Sequence, residues 1–228
     1  MEGNRPDAKT LIIIPTHKES DNIYNLAKRC LLFGDVIVID NSPMGDKTEA
    51  TAKSAGARTI RLPENVKIAG QVSSGLMFAI RHNYDWAITI DAGESHEIGD
   101  VLPCPNCDVV LGVRFGYPHL LRNKIPYRYV ISRIGTLLFN ITWESKLRDV
   151  TSGHRAFSVE FLRRFDIGNY KSSHFDFHTE TASKLMAYQA RIKEVPISYK
   201  YGTSTFRPKY LFWAFVWLVY WRTKSFLS

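Results

Sequence analysis

Three short segments, Leu11–Pro15 (LIIIP), Val36–Asp40 (VIVID) and Trp86–Asp91 (WAITID), are apolar and rich in β-branched residues, and each stops at a proline or an aspartate. A strand with one wet face alternates apolar and polar residues, so unbroken runs predict strands buried on both faces, as in a parallel sheet covered by helices. Helical patterns fill the gaps between them. Ser20 and Asp21 can cap a helix running to about Phe33, Asp46–Ala55 reads as a second helix before a short strand Thr59–Leu62, and Ile68–His82 as a third. Strand and helix in strict alternation predict a three-layer α/β/α arrangement with right-handed crossovers. With 228 residues, 45% of them hydrophobic, the chain has material for one ordinary core and is expected to form a single domain.

The regularity fails after Asp91. A polar, proline-containing stretch, Glu94–Asp108, leads to one more strand, Val109–Val113. Beyond it the pattern predicts a helix near Tyr127–Phe139, a polar turn at Asp149–Arg155, a helix around Thr179–Ala190 and short strands Ile192–Val195 and Ser198–Tyr201. Ligands of open α/β sheets sit beyond the carboxyl ends of the strands. Those ends carry Pro15–Glu19, Asp40–Asn41, Asp91–His96 and Arg114, so acids, a histidine and an arginine are expected to converge there.

Charge narrows the partner without choosing it. Thirty Lys and Arg against 22 Asp and Glu give a net charge of +8, which suits a phosphate-bearing or polyanionic partner. Three cysteines make no disulfide framework; Cys104 and Cys107 are expected as reduced loop cysteines. The polar start MEGNRPDAKT lacks the apolar core of a signal peptide, so export is not expected. The chain contains no G-x-G-x-x-G, G-x-x-x-x-G-K-[ST], G-x-S-x-G or H-E-x-x-H, which removes the dinucleotide, P-loop, serine-hydrolase and zinc-protease readings. The longest apolar run, Leu211–Trp221 (LFWAFVWLVYW), is about half of the roughly 20 residues that span a bilayer. Its aromatics, flanked by Arg207, Lys209, Arg222 and Lys224, suit a helix lying in a membrane interface, although packing on the protein's own core is the competing reading. Asp91 closes an apolar strand, and Glu94, His96 and Glu97 follow. Hard oxygen ligands placed there can hold Mg²⁺ or Mn²⁺ against a diphosphate.

Six segments in register then match a known family. IIIPTHKESDNI resembles I-I-P-T-Y-N-E-x-x-N-I, VIVIDNSPMGDKT resembles V-V-D-D-x-S-x-D-G-T, and ITIDAGESHE resembles V-x-M-D-A-D-x-S-H. DVVLGVRF is similar to D-I-V-x-G-S-R-Y, RDVTSGHRAF to D-x-T-S-G-F-R-A, and IKEVPISYKYGTS to I-x-E-V-P-I-x-F-x-x-R-x-G-x-S. The chain thus resembles, from about Thr10 to Ser204, family 2 glycosyltransferases of the GT-A fold, in the branch of dolichol-phosphate mannose synthases and polyprenol-phosphate glycosyltransferases. The resemblance implies a GT-A domain over residues 1–207, with a mostly parallel central sheet; the aromatic run beyond it is read as a short amphipathic interfacial helix over 208–228. The resemblance also implies an inverting transfer of a hexose from a nucleotide diphosphate sugar to a polyprenol phosphate, by a peripheral protein at the cytoplasmic face of a membrane. Nucleic acid is not the expected partner, and the oligomeric state is left open.

Carried over position by position, the resemblance puts Pro15, His17, Glu19, Asp40 and Asn41 in the nucleotide pocket. Pro15 is equally well explained as a strand terminator. His17 stands where the family often has Tyr, and Asn41 replaces a common second Asp. Asp91 and Glu94 are the implied ligands of Mg²⁺ or Mn²⁺; the second Asp of the family's metal motif is Gly93 here, which has no ligand atom. Arg114, Arg133, Ser152 and Arg155 are implied to receive the acceptor phosphate, with Asp91, Arg114 and Arg155 carrying catalysis and Arg128 and Arg148 as nearby candidates. Bidentate arginines and a Thr-Ser-Gly turn are chemically suited to a phosphate. The family's closing lysine is Thr205, leaving Arg207 or Lys209 to replace it. An acceptor phosphate is already anionic, so the implied reaction needs no general base, and Glu180 is expected to be structural or acceptor-side. A hydroxyl acceptor on a glycan, protein or modified base, or a non-catalytic binding protein, stays open as an alternative.

Overall fold

The structure is a computed structural model that describes residues 7–63, 66–93, 95–122, 126–172, 176–200 and 209–227. The first half runs β1 (Thr10–Thr16), α1 (Ile23–Cys30), β2 (Asp35–Asp40), α2 (Thr48–Ser54), β3 (Arg58–Arg61), α3 (Ile68–Arg81) and β4 (Trp86–Thr89). The second half runs β5 (Val109–Val113), β6 (Leu121–Arg122), α4 (Pro126–Trp143), β7 (Arg155–Ser158), α5 (Val159–Arg164), α6 (Asp176–Ala187), β8 (Ile192–Pro196), β9 (Tyr199–Lys200) and α7 (Lys209–Leu227). Seven strands form one sheet in the order β3-β2-β1-β4-β7-β5-β8, and β6 pairs with β9 in a small second sheet. The sheet is mostly parallel, as expected; β7 alone among the described strands runs antiparallel to both of its neighbours.

The unbroken apolar runs are explained by the two cores. Ile12, Ile14, Val36 and Val38 point to one face and pack with Ile23, Leu26 and Ala27 of α1. Leu11, Ile13, Ile37 and Ile39 point to the other, against Ala69, Val72, Leu76 and Ala79 of α3. Because side chains alternate across a strand, two buried faces require apolar residues at every position. Helix α3 lies so close to β1 that a Cβ on Gly75 would stand 2.4 Å from Ile13 Cγ2, closer than any side chain can approach.

Two expectations are corrected, and a stretch that the sequence left unassigned is filled in. The segment after the Asp149–Arg155 turn forms β7 and α5, because Arg155–Ser158 is too short and too mixed to show a run, yet its backbone bridges β4 and β5. Asn22, not Ser20 or Asp21, is the cap position of α1, and it makes no side-chain cap bond. Cys104 and Cys107 are joined as a disulfide, their Cα atoms brought to 5.7 Å by a tight turn, within ordinary disulfide reach. The C-terminal helix expected over 208–228 is present and runs from Lys209 to Leu227. The boundary expected at 207/208 falls outside the described residues.

Helix α7 packs on the domain through Leu218 and Trp221, which join Phe139 and Trp143 of α4, Val150, and Ala182 of α6 in a third apolar cluster. Two indoles fasten it: Trp217 Nε1 donates to Asp176 Oδ2 at 3.1 Å and Trp221 Nε1 to Glu180 Oε1 at 2.8 Å. Among the described residues no helix is long and apolar enough to cross a membrane.

Candidate active site

The tips of β1 and β2 are tied together at the end of the sheet where ligands of this architecture bind. Past Thr16 the chain turns through Lys18 in the left-handed region (φ 59°), and the Lys18 N–H donates to Ser42 Oγ at 2.7 Å. Asp40 is fully buried. Its Oδ1 accepts from the Ser42 N–H at 3.0 Å, Ser42 Oγ at 2.6 Å and Thr16 Oγ1 at 3.3 Å. Its Oδ2 is buried, with no hydrogen bond among the described residues and an ion-pair contact with Arg61 Nη1 at 3.8 Å. Asn41 donates from Nδ2 to the Val66 carbonyl, and its Oδ1 lies 3.0 Å from Nδ1 of the exposed His17. Glu19 is partly exposed at the same tip, its N–H bound to Thr48 Oγ1 at 2.9 Å. Pro15 lies deeper, where β1 borders a small cavity that Asp91, Gly153 and Arg155 also line.

Asp91 stands just past β4, and three histidines surround it. Its Oδ2 is 3.2 Å from His96 Nε2. On its other side Gly153 packs close: a Cβ there would lie 2.9 Å from His178 Cε1 and 3.0 Å from Asp91 Oδ1, so the turn can approach these side chains only as glycine. His154 is fully buried behind them, its ring edge-on to His96 at 5.1 Å, and among the described residues neither of its nitrogens has a hydrogen-bond partner. Burial alone would raise the Asp91 carboxyl. The hydrogen bond from His96 and the fields of His96, His178 and His154 outweigh it and hold the group well below the usual carboxylate range. Burial, with Arg155 nearby, pushes His178 down to about 3, so that imidazole is neutral at physiological pH.

Arg114 follows β5 and is buried, with Nε 2.7 Å from Asp149 Oδ2 and Nη2 2.9 Å from Asp149 Oδ1. This bidentate pair fixes the guanidinium plane. Burial would raise the Asp149 carboxyl, but the Arg114 charge and the hydrogen bonds from Arg114 and Thr151 bring it below its ordinary value. The guanidinium also lies over the Phe115 and Tyr199 rings, 5.3 and 5.1 Å from their centroids. Arg155 is placed differently. It is fully buried and donates to the carbonyls of Ser152, Val150 and His178, so most of its guanidinium braces the Thr-Ser-Gly turn against α6. Its Nη1 alone has no hydrogen bond among the described residues. Burial lowers it to about 10, still cationic at neutral pH. Ser152 is buried, Arg133 is exposed on α4 over the Phe115 ring, and Arg148 donates to the Tyr117 hydroxyl. Glu94, Thr205, Arg207 and the side chains of Arg128 and Lys209 lie outside the described residues.

Several of these groups line a cavity of about 190 Å³: Asp91, His96, Arg114, Asp176 and His178 border it together with Ile131, Ile134 and Leu138 of α4 and Ala214, Phe215 and Leu218 of α7. The apolar wall, Asp176 and the histidines of α6 and the turn were not anticipated from sequence. The signal lay in FDFHTE, a helix start dense in polar groups that reads as a solvated face, although Asp176–Leu185 is buried throughout. Glu180 is structural: it accepts from the Lys171 and Ser172 N–H groups as well as from Trp221.

A parallel half with acidic strand tips, joined through an antiparallel strand to a half that carries the buried arginine, is the arrangement of the GT-A glycosyltransferases. The chain belongs to glycosyl transferase family 2, whose sequence profile matches residues 11–165, and it is a glycosyltransferase. It is 26% identical over 203 residues to the undecaprenyl-phosphate mannosyltransferase of Micrococcus luteus, covering 84% of this chain and 83% of that one. It is 25% identical over 213 residues to the polyprenol monophosphomannose synthase of Mycolicibacterium smegmatis, covering 86% and 78%. Among solved structures, glucosyl-3-phosphoglycerate synthase from Mycobacterium tuberculosis in complex with uridine diphosphate superposes with a TM-score of 0.69 at 16% identity, over 95% of this chain and 81% of that one. The same enzyme with Mg²⁺ and uridine diphosphate gives a TM-score of 0.67 at 15% identity, over 95% and 80%.

Proposed function

We propose that the protein transfers a hexose from a nucleoside diphosphate sugar to a polyprenol phosphate at a membrane surface, by a single displacement that inverts the anomeric carbon. The observation that carries this reading is a single cavity lined both by a buried arginine and by apolar side chains of α4 and α7. A lipid phosphate is the acceptor that needs both: a bidentate cation for its head and a greasy channel for the first units of its tail. The names of the two bacterial relatives point the same way.

In this reading Pro15, His17, Glu19, Asp40 and Asn41 form the nucleotide pocket, with buried Asp40 holding the two strand tips in place. The Asp91 carboxylate fits a cation: it lines the cavity and is held in its charged form by the histidines around it. Asp91 would hold Mg²⁺ or Mn²⁺ there with diphosphate oxygens, and Glu94 is proposed to assist. The ion supplies charge neutralisation of the diphosphate leaving group. Arg114, pinned by Asp149 and stacked on aromatic rings, orients the acceptor phosphate without moving, while Ser152 and Arg155 shape the turn beside it and Arg133 guards the entrance. The phosphate is already anionic, so positioning and electrostatics do the work and no side chain has to remove a proton.

Exposed apolar residues on α4 (Val130, Ile134, Leu137, Ile141) and α7 (Phe212, Trp213, Phe215) lie on the two helices that line the cavity, which suits docking on the cytoplasmic face of a membrane as a peripheral protein. The decisive assay offers polyprenol phosphate with a panel of labelled nucleoside diphosphate sugars, with Mn²⁺, with Mg²⁺ and in EDTA. Label should enter the organic phase with one donor and a cation. Transfer only to hydroxyl acceptors, or none with any donor, would overturn the proposal.

A further inference from the structure

Helix α3 packs on the sheet through small and apolar residues, Ala69, Val72, Gly75, Leu76 and Ala79, and one long polar side chain is buried among them. Gln71, 5% exposed, reaches the tips of β1 and β2. Its Nε2 donates to the Thr16 carbonyl at 2.8 Å and to the Ile39 carbonyl at 2.9 Å, so one amide group holds both strands. Neither carbonyl depends on it, because the Asn41 N–H reaches the Thr16 carbonyl at 3.3 Å and Thr16 Oγ1 reaches that of Ile39 at 3.4 Å. Burying an amide costs desolvation that an apolar side chain of the same length would not incur. What the bridge adds is a fixed spacing of the strand ends rather than rescue of an orphan acceptor. Asn41 ties the same elements from the other side, donating from Nδ2 to the Val66 carbonyl just before α3.

We propose that Gln71 is a positioning residue of the donor site: it locks the ends of β1 and β2 against each other and against α3, so that His17 and Asn41 meet the nucleotide in fixed places. The two side chains follow different strands, and their contact, His17 Nδ1 to Asn41 Oδ1 at 3.0 Å, holds only while the strand ends keep their spacing. A pocket whose parts need no ordering on binding keeps more of its interaction energy as affinity. Gln71 touches no substrate in this role. The inference rests on the nucleotide pocket proposed above.

Calorimetry of the full chain with UDP, and separately with GDP, in Mg²⁺ and below the melting temperature of every variant, tests it. Gln71→Met keeps the length of the side chain and removes the donor. It should stay folded and weaken whichever nucleotide wild type binds about five- to tenfold, the scale of one net hydrogen bond. Ser74→Ala, whose hydroxyl bonds only within α3, to the Gly70 carbonyl, should leave the affinity unchanged. In wild type, the side-chain amide signals of Gln71 in ¹⁵N nuclear magnetic resonance should shift when the nucleotide is added, a response that a side chain serving stability alone would not give. Unchanged affinity in folded Gln71→Met, or an equal loss in Ser74→Ala, would overturn the proposal. If Gln71→Met fails to fold, wild-type signals that stay in place at nucleotide saturation would overturn it. If neither nucleotide binds wild type, the donor site itself falls, and the role of Gln71 with it.

Discussion

The half of the molecule up to β4 and the half after it solve different problems with different materials. In the first, strand tips hold the proposed nucleotide pocket, and β1 is buried at every residue. In the second, one carboxylate–arginine pair and two packed helices hold the proposed acceptor site, with apolar residues left in the open on both helices. A donor is a soluble, compact ligand that rewards a rigid rim. A lipid acceptor must slide in from the side, which needs a wall that is apolar and open at one end. The comparison teaches that specificity for the two substrates can be perturbed separately.

Breaking that separation is the purpose of the first test. Asp91→Asn should lower transfer by about 10² to 10³-fold and weaken cation-dependent nucleotide binding, measured by steady-state kinetics and calorimetry. Arg114→Lys should cost a comparable factor in transfer while leaving nucleotide affinity unchanged, because a point charge cannot reproduce the guanidinium fork. Loss of nucleotide binding in Arg114→Lys would show that the two halves are one site.

Stability should divide along the same line. Asp149→Asn leaves the buried Arg114 charge without its partner and should destabilise the fold by about 3 kcal/mol or more at neutral pH. The folded Asp149 carboxyl titrates below its unfolded value, so its contribution is present above about pH 4 and is lost as pH falls through the folded value. Denaturation midpoints of wild type and Asp149→Asn should therefore converge on acidification. In the first half the equivalent weak point is steric: Gly75→Ala forces a methyl group against Ile13 and should cost about 1–3 kcal/mol. Gly168→Ala, which meets nothing within 4 Å, should stay within about 0.5 kcal/mol.

The same contrast explains what could be read in advance. LIIIP, VIVID and WAITID announce their strands because each is covered on both faces by helices from its own neighbourhood in sequence. Strand β7 announces nothing: RAFS has no run, and only the edges of β4 and β5 make it a strand. Asp40, Asp91 and Arg114 were legible as strand-end residues. The pairing of Arg114 with Asp149 across 35 positions, and the burial of His178 in a polar-looking helix, depend on tertiary contacts that no local pattern encodes.

Helix α7 joins the two problems, since its buried side closes the cavity and its exposed side faces outward. Trp221→Phe removes the indole donor to the buried Glu180 carboxylate and should cost about 1–3 kcal/mol, seen as faster amide exchange in α7 while β1 and β2 stay protected.

The smallest effect should come from the outward side. Phe212 and Trp213 are 65% and 46% exposed, and Trp213 stacks on Trp217 with ring centroids 5.6 Å apart. If α7 docks on lipid, each ring should add a modest share of partition energy, so Trp213→Ser should weaken binding to anionic vesicles about five- to tenfold by flotation, with only a small drop in melting temperature from the lost stacking. Leu32 at the end of α1 is a matched control from the other half, 50% exposed. Leu32→Ser should leave flotation unchanged, because a single apolar side chain away from the α4–α7 surface makes no docking face. Equal losses in the two variants would mean that the membrane meets the protein without preference for the acceptor half, and the apolar wall would then serve the cavity only.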